Sequence, residues 1–462
     1  MAKKPDTKRL LLPRSRVGAV RDAPASRPRQ APLERYDGIP TRKRGNEQKT
    51  GRVLCVTSSF PRWTGDNTTP FVLNLAQDLQ SLGWQVDVLA PHAPNAAVSE
   101  RLDGVNVERF RYLWPASLET VCYQGGALVN LRKRPLDKLK LPALVAAEWA
   151  AVARRLATRR YDVLHTHWML PQGFVGILSQ RIGGLPHVNT VHGGDLFGLS
   201  GRLLQGFKRM VIRHADAVTV NSRYTQSALL ELAPQPAQLM RIPMGVATNP
   251  PTHAERQQSV EIRARYRRGN GPLLAFVGRI IDEKGPEDLI RAVALLRAEL
   301  PNVTALIIGA GPEAPELERL AATLGLGEHI LFPGWVERAE IGAWMSAADY
   351  FVAPSRRAPN GWVEAQGLTI IEAMIAGTPV IATRLGGIPD AVIHERTGLL
   401  IDERAPEQIA EAIRRLVAEP TQARSLANEA QRHAATNFSR AASARAFGDL
   451  FRELMDRSGV RR

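Results

Sequence analysis

Short apolar runs rich in β-branched residues alternate with stretches of helical periodicity along most of this chain. The first run lies at residues 51–59, and in the stretch that follows, Phe71, Leu75 and Leu79 share one helical stripe. Further apolar runs lie at residues 84–91, 162–168, 186–193 and 217–222. Strands that alternate with helices indicate a parallel sheet covered by helices on both faces.

The alternation restarts after a proline-rich passage at residues 233–251. Apolar runs of the second series lie at residues 272–279, 303–309, 329–334, 350–355 and 379–383. The pattern therefore predicts two α/β domains, at residues 51–240 and 250–435, joined by a linker and separated by a cleft. In open parallel sheets ligands bind beyond the carboxyl ends of the strands, so the loops after these strands are the places to look for chemistry.

The net charge of +16 is unevenly distributed over the 462 residues. Residues 1–50 contain 14 Lys and Arg but 5 Asp and Glu, and they are rich in proline and poor in aromatic residues, which predicts a disordered basic arm. Residues 132–160 contain 9 basic and 2 acidic side chains, and the rest of the chain is neutral. This distribution disfavours a general nucleic-acid-binding surface and favours one localised basic patch.

The cysteine content and the hydropathy pattern indicate the compartment. The chain has two cysteines, Cys55 and Cys122, so no disulfide framework is expected and a reducing compartment fits. The basic first residues lack the apolar core of a signal peptide, and no stretch approaches the roughly 20 apolar residues that span a bilayer. We therefore expect a cytoplasmic protein that is soluble or peripheral on the cytoplasmic face of the membrane.

Two glutamates stand in an otherwise apolar stretch near the end of the second series. Glu364 and Glu372 flank the predicted start of a helix, where the backbone N–H groups of Gly367, Leu368 and Thr369 would be free to attract an anion. Both carboxylates could then bracket a ligand that carries a phosphate. Alternatively, Thr369 and Glu372 form a capping box and Glu364 is a solvated loop charge. On these residues alone, both interpretations stay open.

Two cations in the second domain favour an anionic ligand. Arg279 ends a predicted strand and Lys284 lies in the loop before the next helix, an arrangement that suits a diphosphate, although both could be solvated loop charges. A metal site is not predicted. His165 and His167 would point to one side of a strand, but the sequence offers no third ligand at useful spacing and no Asp-x-Asp motif.

Several motifs in order resemble one known family. In the second half these are "GRIIDEKGPEDLIRA", "LIIGAGPE", "FPGWV" and "EAQGLTIIEAMIAGTPVIATRLGGIPD"; in the first half they are "SSFPRWTGDNTTPFVLNLAQDL", "HTHWMLPQG", "TVHGGDLFG" and "ADAVTVNS". Over residues 52–440 the chain resembles the retaining glycosyltransferases of family four, whose hallmark is a Glu, seven residues and a second Glu. Here those positions are Glu364 and Glu372.

The resemblance implies a GT-B fold, in which two Rossmann-like domains have parallel sheets that face each other across a cleft. It also implies that residues 51–240 bind the acceptor, that residues 250–435 bind the nucleotide sugar, and that a final helix within 436–462 crosses back to the first domain. The implied reaction moves a hexosyl unit from a UDP- or GDP-linked sugar to an acceptor, a glycolipid or surface-polysaccharide intermediate. The donor is a substrate, and no cofactor is expected.

The resemblance also implies roles for individual residues. Glu372 would accept hydrogen bonds from the ribose hydroxyls, and Glu364 would hold hydroxyls of the donor sugar. Arg279 and Lys284 would contact the diphosphate, as would the backbone amides near Gly367, Leu368 and Thr369. Backbone around Val336 would contact the base, and His192 would contact the sugar near its reacting carbon.

One loop departs from the family pattern. Many members have a paired glycine in the first loop, but here that loop is "TGDNTTP". Gly65 is therefore the candidate for phosphate contact, and Ser58, Ser59 and the helix that begins near Pro70 are its alternatives.

Two other functions fit part of the sequence. A sugar-nucleotide 2-epimerase of the same fold would need carboxylates poised for elimination in both domains, and these are not evident. A nucleic-acid-binding protein would interleave basic and aromatic residues, but residues 1–50 have Tyr36 as their only aromatic residue.

The basic segment at 132–160 could bind a membrane or form an ordinary helix. Its second part has an apolar stripe of Leu144, Val145, Trp149, Val152 and Leu156, which a helix packed on the first sheet would explain. The cations that precede this stripe have no core-forming pattern; they are Arg132, Lys133, Arg134, Lys138 and Lys140. We expect them to form an acceptor-side patch that binds an anionic membrane surface.

Overall fold

The computed structural model describes residues 50–123, 126–198, 201–249, 251–359 and 361–459. The predicted basic arm therefore lies outside the described residues, apart from Thr50. Two α/β domains, each built on one largely parallel sheet, make up the described part, so the α/β class predicted from the alternation of strands and helices is confirmed.

The first domain contains eight strands and seven helices among its described residues. The strands are β1 (Arg52–Val56), β2 (Gln85–Pro91), β3 (Ser99–Leu102), β4 (Val105–Phe110), β5 (Val163–His167), β6 (His187–Val191), β7 (Ala217–Val220) and β8 (Leu239–Arg241). The helices are α1 (Pro70–Ser81), α2 (Ala127–Lys133), α3 (Leu141–Thr158), α4 (Phe174–Gly183), α5 (Gly194–Phe197), α6 (Arg202–His214) and α7 (Arg223–Leu232). The sequence pattern missed the hairpin β3–β4, because the polar β3 is short and lies at the sheet edge.

The second domain carries the remaining elements. Its strands are β9 (Leu273–Val277), β10 (Thr304–Ile308), β11 (Ile330–Gly334), β12 (Tyr350–Ala353), β13 (Val380–Thr383) and β14 (Leu399–Ile401). The helices that follow the linker are α8 (His253–Tyr266), α9 (Pro286–Leu296), α10 (Ala314–Thr323), α11 (Ile341–Ala347), α12 (Leu368–Ile375), α13 (Ile388–Ala391), α14 (Pro406–Ala418), α15 (Pro420–Asn437) and α16 (Arg440–Arg457).

The strand order creates a switch point in each sheet. The first sheet runs β3-β4-β2-β1-β5-β6-β7-β8 and is parallel except for β3, which pairs antiparallel to β4. The second runs β11-β10-β9-β12-β13-β14, with every pair parallel. The order reverses between β1 and β5 and between β9 and β12, which is where open parallel sheets bind ligands. The loop that carries Arg279 and Lys284 follows β9 directly.

The last helix belongs to the core of the first domain. Phe447 and Phe451 of α16 are fully buried beside α1 and β1, and the rings of Phe451 and Trp84 meet edge to face with centroids 5.4 Å apart. At the start of α16, the Arg440 guanidinium donates two hydrogen bonds of 2.8 Å to the Asp78 carboxylate of α1. The chain thus returns to the first domain after completing the second.

The apolar stripe predicted for α3 is only partly buried. Leu144 and Val152 lie in the core, whereas Trp149 is 42% exposed, and the acidic Glu148 takes the inward position instead with no exposed surface. Among the described residues, no helix combines the length and the apolar character needed to cross a membrane.

Candidate functional site

The start of α12 presents free backbone amides. Gly367 precedes the helix with φ of +79°, and a β-carbon there would lie 2.9 Å from the Ile370 side chain, so glycine suits the position on both counts. The N–H groups of Leu368 and Thr369 have no hydrogen-bond acceptor among the described residues. Amides at a helix start attract an anion. The predicted Thr369–Glu372 capping box does not form, because Thr369 lies inside the helix.

Glu364 and Lys284 come together across the second domain. The Lys284 ammonium donates a hydrogen bond to Glu364 Oε2, and the Gly367 N–H donates to Oε1 at 3.0 Å. Burial alone would raise the pKa of Glu364, but the charge and hydrogen bond of Lys284 hold it below its ordinary value. Glu364 is therefore an ionised, oriented acceptor beside the amides at the start of α12, and not a solvated loop charge.

Arg279 is the second cation at this edge of the sheet. It follows β9, and its exposed side chain makes no hydrogen bond or ion pair within the described residues, so its guanidinium is available to a ligand. Lys284 lies in the short turn Asp282–Lys284 of the same loop, with its ammonium 5.9 Å from the ring centroid of Trp362. Together the loop supplies one fork-shaped and one point-like cation, as a diphosphate requires.

A buried arginine that sequence reasoning missed holds this loop in place. Arg356, with 4% of its side chain exposed, donates to Asp288 Oδ2 at 2.8 Å and to Asp282 Oδ1 at 2.7 Å. Its backbone N–H also donates to the Glu283 carbonyl at 2.9 Å. These contacts fix the residues on both sides of Lys284. No local signal could have revealed them, since Arg356 and Asp288 are 68 positions apart.

Glu372 faces a partner that the sequence analysis did not name. The Arg338 guanidinium donates to Glu372 Oε1 at 2.9 Å, and Arg338 lies two residues after the buried Val336, in the loop that follows β11. Burial raises the pKa of Glu372, and Arg338 offsets this only in part. The two glutamates of the motif are thus in different electrostatic states, although both lie around the start of α12.

His192, from the first domain, lies in an aromatic and imidazole cluster. Its Nε2 is 2.9 Å from Nδ1 of His167, and the two rings stack at a centroid distance of 5.2 Å. The rings of Phe71 and Trp168 lie 5.0 Å and 4.8 Å from the His192 ring. Burial lowers the pKa of His192 to about 3, so the ring is neutral at physiological pH.

The hydrogen bond between the two imidazoles indicates their tautomers. Burial and the neighbouring histidines place the pKa of His167 well below its ordinary value, so both rings are neutral. Nε2 of His167 is buried without a hydrogen-bond partner in the described residues. A buried N–H without an acceptor is rarer than a buried acceptor without a donor, so Nε2 should be the nitrogen without a proton. The proton of His167 is then on Nδ1. His167 then donates to His192 Nε2, and His192 keeps its proton on Nδ1.

The loops that carry His192 and Glu364 touch each other. A β-carbon on Gly193 would lie 2.4 Å from the β-carbon of Ala365, so only glycine permits this approach. Next to this contact, the Gln366 amide accepts from the Met244 N–H at 3.0 Å and donates to the Met244 carbonyl at 2.7 Å. The predicted site residues of the two domains are therefore brought to one place.

The structure gives no support to Gly65 as a phosphate contact. Gly65 is exposed, with φ of +85°, and its neighbour Thr64 donates to Asp103 of the β3–β4 turn at 3.1 Å. The alternative residue Ser59 hydrogen-bonds through its hydroxyl to the Thr69 hydroxyl at 2.7 Å, which joins the two ends of the loop. The loop tip is thus attached at the outer edge of the first sheet.

The predicted patch in the first domain is exposed except at one position. Four of its cations are exposed and make no ion pair within the described residues; they are Arg132, Lys133, Arg134 and Lys138. Lys140 differs, since its ammonium lies 2.7 Å from buried Asp137 and also donates to the Thr120 hydroxyl at 2.9 Å. Lys140 is therefore part of the local structure more than of a free cationic surface.

The two strand histidines do lie side by side, but they are not arranged as metal ligands. The rings of His165 and His167 are 4.3 Å apart, and His165 Nε2 hydrogen-bonds to the Thr190 hydroxyl at 2.7 Å. Within the described residues, no group of three His, Cys, Asp or Glu side chains could hold a metal ion.

Comparisons with known proteins identify both halves of the chain. A family model described as Glycosyltransferase Family 4 matches residues 69–249, and one described as Glycosyl transferases group 1 matches residues 258–433. The GDP-mannose-dependent alpha-(1-6)-phosphatidylinositol monomannoside mannosyltransferase of Mycobacterium tuberculosis (strain CDC 1551 / Oshkosh) is 32% identical over 272 residues, which cover 58% of this chain and 70% of that protein. The D-inositol 3-phosphate glycosyltransferase of Salinispora arenicola (strain CNS-205) is 31% identical over 410 residues, or 81% of this chain and 85% of that protein.

Solved structures of similar fold cover most of the chain. The sucrose-phosphate synthase of Thermosynechococcus elongatus has a TM-score of 0.70 and 25% identity, and covers 88% of this chain and 100% of its own. WaaG, a glycosyltransferase involved in lipopolysaccharide biosynthesis, has a TM-score of 0.60 at 17% identity over 87% of this chain and 99% of its own, a likeness of fold alone.

Proposed function

This chain belongs to glycosyltransferase family 4, and from that premise we propose that it moves a hexosyl unit from a nucleotide diphosphate sugar to an acceptor with retention of the donor's anomeric configuration. The observation that supports this most is the arrangement around the start of α12. There, Lys284, exposed Arg279 and the free amides of Leu368 and Thr369 provide positive potential for a diphosphate.

The chemistry follows from where charge develops. As the bond between the anomeric carbon and the diphosphate oxygen breaks, negative charge grows on the leaving diphosphate, and Arg279 and Lys284 stabilise it. The acceptor hydroxyl attacks the same face of the sugar and forms the new bond, while its proton passes to the leaving phosphate. No separate general base is needed. His192 would lie beside the sugar as a hydrogen-bonding group. Its ring is neutral, because burial lowers its pKa to about 3.

The two glutamates position the donor. Glu364, ionised and held by Lys284, would accept hydrogen bonds from hydroxyls of the donor sugar. Glu372 would accept from the ribose hydroxyls, in which case Arg338 shares or leaves its contact with that carboxylate when the nucleotide binds. Backbone around Val336, two residues before Arg338, would meet the base.

The names of the relatives guide the choice of substrates. One relative is named as GDP-mannose-dependent, so GDP-mannose is the first donor to test, with UDP-linked sugars as alternatives. Both relatives are named for acceptors that contain a phosphorylated inositol, one lipid-linked and one soluble. We propose a lipid-linked acceptor of this kind. The exposed cations of the patch in the first domain would attract its anionic bilayer at about 1 kcal/mol per cation.

The comparisons give no support to the other two functions considered, a sugar-nucleotide 2-epimerase and a nucleic-acid-binding protein. The family models and the relatives name glycosyltransferases, and neither an epimerase nor a nucleic-acid-binding protein is among the relatives described above.

A donor panel tests the proposed reaction. The full chain is incubated with GDP-mannose, UDP-glucose and related donors, with and without phosphatidylinositol, and the released nucleoside diphosphate is measured in the presence of a chelator. Arg279→Ala and Lys284→Ala should each lower turnover by about 10- to 1,000-fold. Arg424→Ala, which removes another exposed cation of the second domain, is the matched control and should not. The reaction proposed here is wrong if no donor is consumed or if activity requires an added divalent metal.

Vesicle binding tests the membrane contact separately. Replacing the four exposed cations Arg132, Lys133, Arg134 and Lys138 by Gln should weaken salt-sensitive binding to vesicles of anionic phospholipid. Lys140→Gln is the control from the same segment, since Lys140 is paired with Asp137 and should contribute little. Equal binding of the wild type and the fourfold variant would show that this surface is an ordinary solvated face.

A further inference from the structure

An apolar groove opens on the first domain, and every residue that lines it belongs to that domain. Its volume is 680 Å³. Its lining comes from the start of α3 and the turn before it, from α4 and from α6: Lys138, Leu141, Pro142, Val145, Ala146, Trp149, Leu178, Leu203 and Phe207. Lys138 is the only charged side chain among them.

The groove exposes apolar side chains to water. Leu203 is 73% exposed, Trp149 42% and Leu178 40%. An exposed apolar patch of this kind marks a binding surface on a soluble domain. The turn Pro135–Lys140 extends the surface beside Lys138, because Leu136 and Leu139 are 78% and 81% exposed.

The charge around the groove has one sign. Residues 132–147 contain a single acidic residue, Asp137, and it is buried and paired with Lys140. The four exposed cations of the patch thus lie in the same segment as exposed leucines, which is the composition of a surface that binds anionic lipid. This charge complementarity favours a lipid over a second protein as the occupant.

The groove is linked to the acceptor side of the reaction site. His192 is followed by the short helix α5, and α6 begins a few residues later with Leu203 in its first turn. The Lys208 ammonium of α6 donates to the Leu196 carbonyl of α5 at 2.8 Å, so the two helices are fixed to each other. Leu203 therefore lies in the first turn of a helix that is joined by this hydrogen bond to α5, the element that follows His192.

We propose that this groove binds a hydrocarbon chain of the acceptor lipid, while the anionic headgroup is directed toward His192 and the donor. The inference rests on the proposed function and adds the place on the first domain where the hydrocarbon chain of that acceptor binds. The groove is open to solvent, and its volume is within the roughly 300–1,000 Å³ range of small-ligand clefts, which leaves room for a single chain.

Fluorescence quenching tests groove occupation directly. The full chain is mixed with vesicles of phosphatidylinositol and phosphatidylcholine whose acyl chains are brominated. Because the chain has 8 tryptophans, the emission of Trp149 is obtained as the difference between the wild type and Trp149→Phe. We expect quenching of Trp149 in the wild type and its loss in Ala146→Trp, which fills the groove from an exposed position, and in Leu203→Asp, each variant being compared with its own Trp149→Phe double variant. Val260→Asp, at a 62% exposed residue of the second domain, should leave quenching unchanged.

Kinetics distinguish failure of this inference from failure of the proposed function. Ala146→Trp should lower the ratio of kcat/KM for phosphatidylinositol to kcat/KM for water-soluble inositol phosphate by about tenfold or more, because tenfold corresponds to roughly two buried CH₂ groups. An unchanged ratio, or vesicle binding without quenching of Trp149, overturns the groove assignment. Dimerisation that is abolished by Ala146→Trp, without quenching, would assign the groove to a second copy of this chain. Transfer to neither acceptor, with quenching intact, would overturn the proposed function alone.

Discussion

Two carboxylates eight positions apart in the sequence have different environments in the structure. Glu364 is held by the Lys284 ammonium and the Gly367 amide, and its pKa lies below the ordinary value. Glu372 is buried beside Arg338, and burial keeps its pKa above the ordinary value. As the pH falls, Glu372 therefore takes up a proton before Glu364 does. The two residues should contribute differently to the pH dependence of donor binding.

Glu372→Gln should weaken donor binding by about 1.5–3 kcal/mol, roughly 10- to 150-fold, with the fold intact. In the wild type the affinity should fall as the pH drops through the raised pKa of Glu372, because the protonated carboxyl is a poorer acceptor for ribose hydroxyls. The variant should lack this acid-side loss. Calorimetric titration of GDP and UDP across the pH range measures both effects. Unchanged affinity with a large drop in melting temperature would instead make Glu372 a structural residue.

His167 should act on the reaction through His192. His167→Ala removes the donor to His192 Nε2, and leaving that group unpaired costs about 1–3 kcal/mol, so kcat/KM should fall by roughly 10- to 100-fold. His167→Asn places an amide N–H near the same position and should restore part of the loss. Nitrogen NMR of the His192 ring reports the tautomer directly. A wild-type spectrum with the proton on Nε2 would contradict this assignment.

At the scale of elements, the site depends on one close approach between two loops. Gly193→Ala would place a β-carbon 2.4 Å from that of Ala365 and would force a side chain onto a backbone with φ of +93°. The backbone strain alone costs about 1–2 kcal/mol, so kcat/KM should fall by about 5- to 30-fold. Gly194→Ala is the matched control, because a β-carbon there meets nothing within 4 Å. Equal kinetics of the two variants would show that this contact is dispensable.

Local pattern predicted the elements but not their long-range partners. The helix start at Gly367 and the loop after β9 could be predicted from the sequence, because apolar periodicity and the position of a glycine indicate where helices and strands begin and end. The contacts of Arg338 with Glu372 and of Gln366 with Met244 join residues 34 and 122 positions apart, and no local signal encodes them. The same limit explains Trp149, whose place in the apolar stripe of α3 did not predict that it is exposed.

At the scale of the whole molecule, the predicted GT-B fold is confirmed by the two parallel sheets and by solved structures that cover most of the chain. The fold brings His192 from the first domain and Glu364 from the second to adjoining loops, which neither domain could do alone. Packing of α16 under the first sheet ties the end of the chain to its beginning. Periodicity and composition could not predict the donor and the acceptor, because substrate choice depends on individual side chains that the folded chain brings together.

The anomeric configuration of the first product shows whether a hexosyl unit is transferred with retention. The full chain is incubated with GDP-mannose and phosphatidylinositol, or with the donor and acceptor that the panel identifies, and the new glycosidic bond is followed by NMR from the first turnovers. The anomeric carbon–proton coupling should show the α configuration of the donor, with equimolar release of nucleoside diphosphate. A β-linked first product, or sugar transfer without release of the diphosphate, would rule out this reaction.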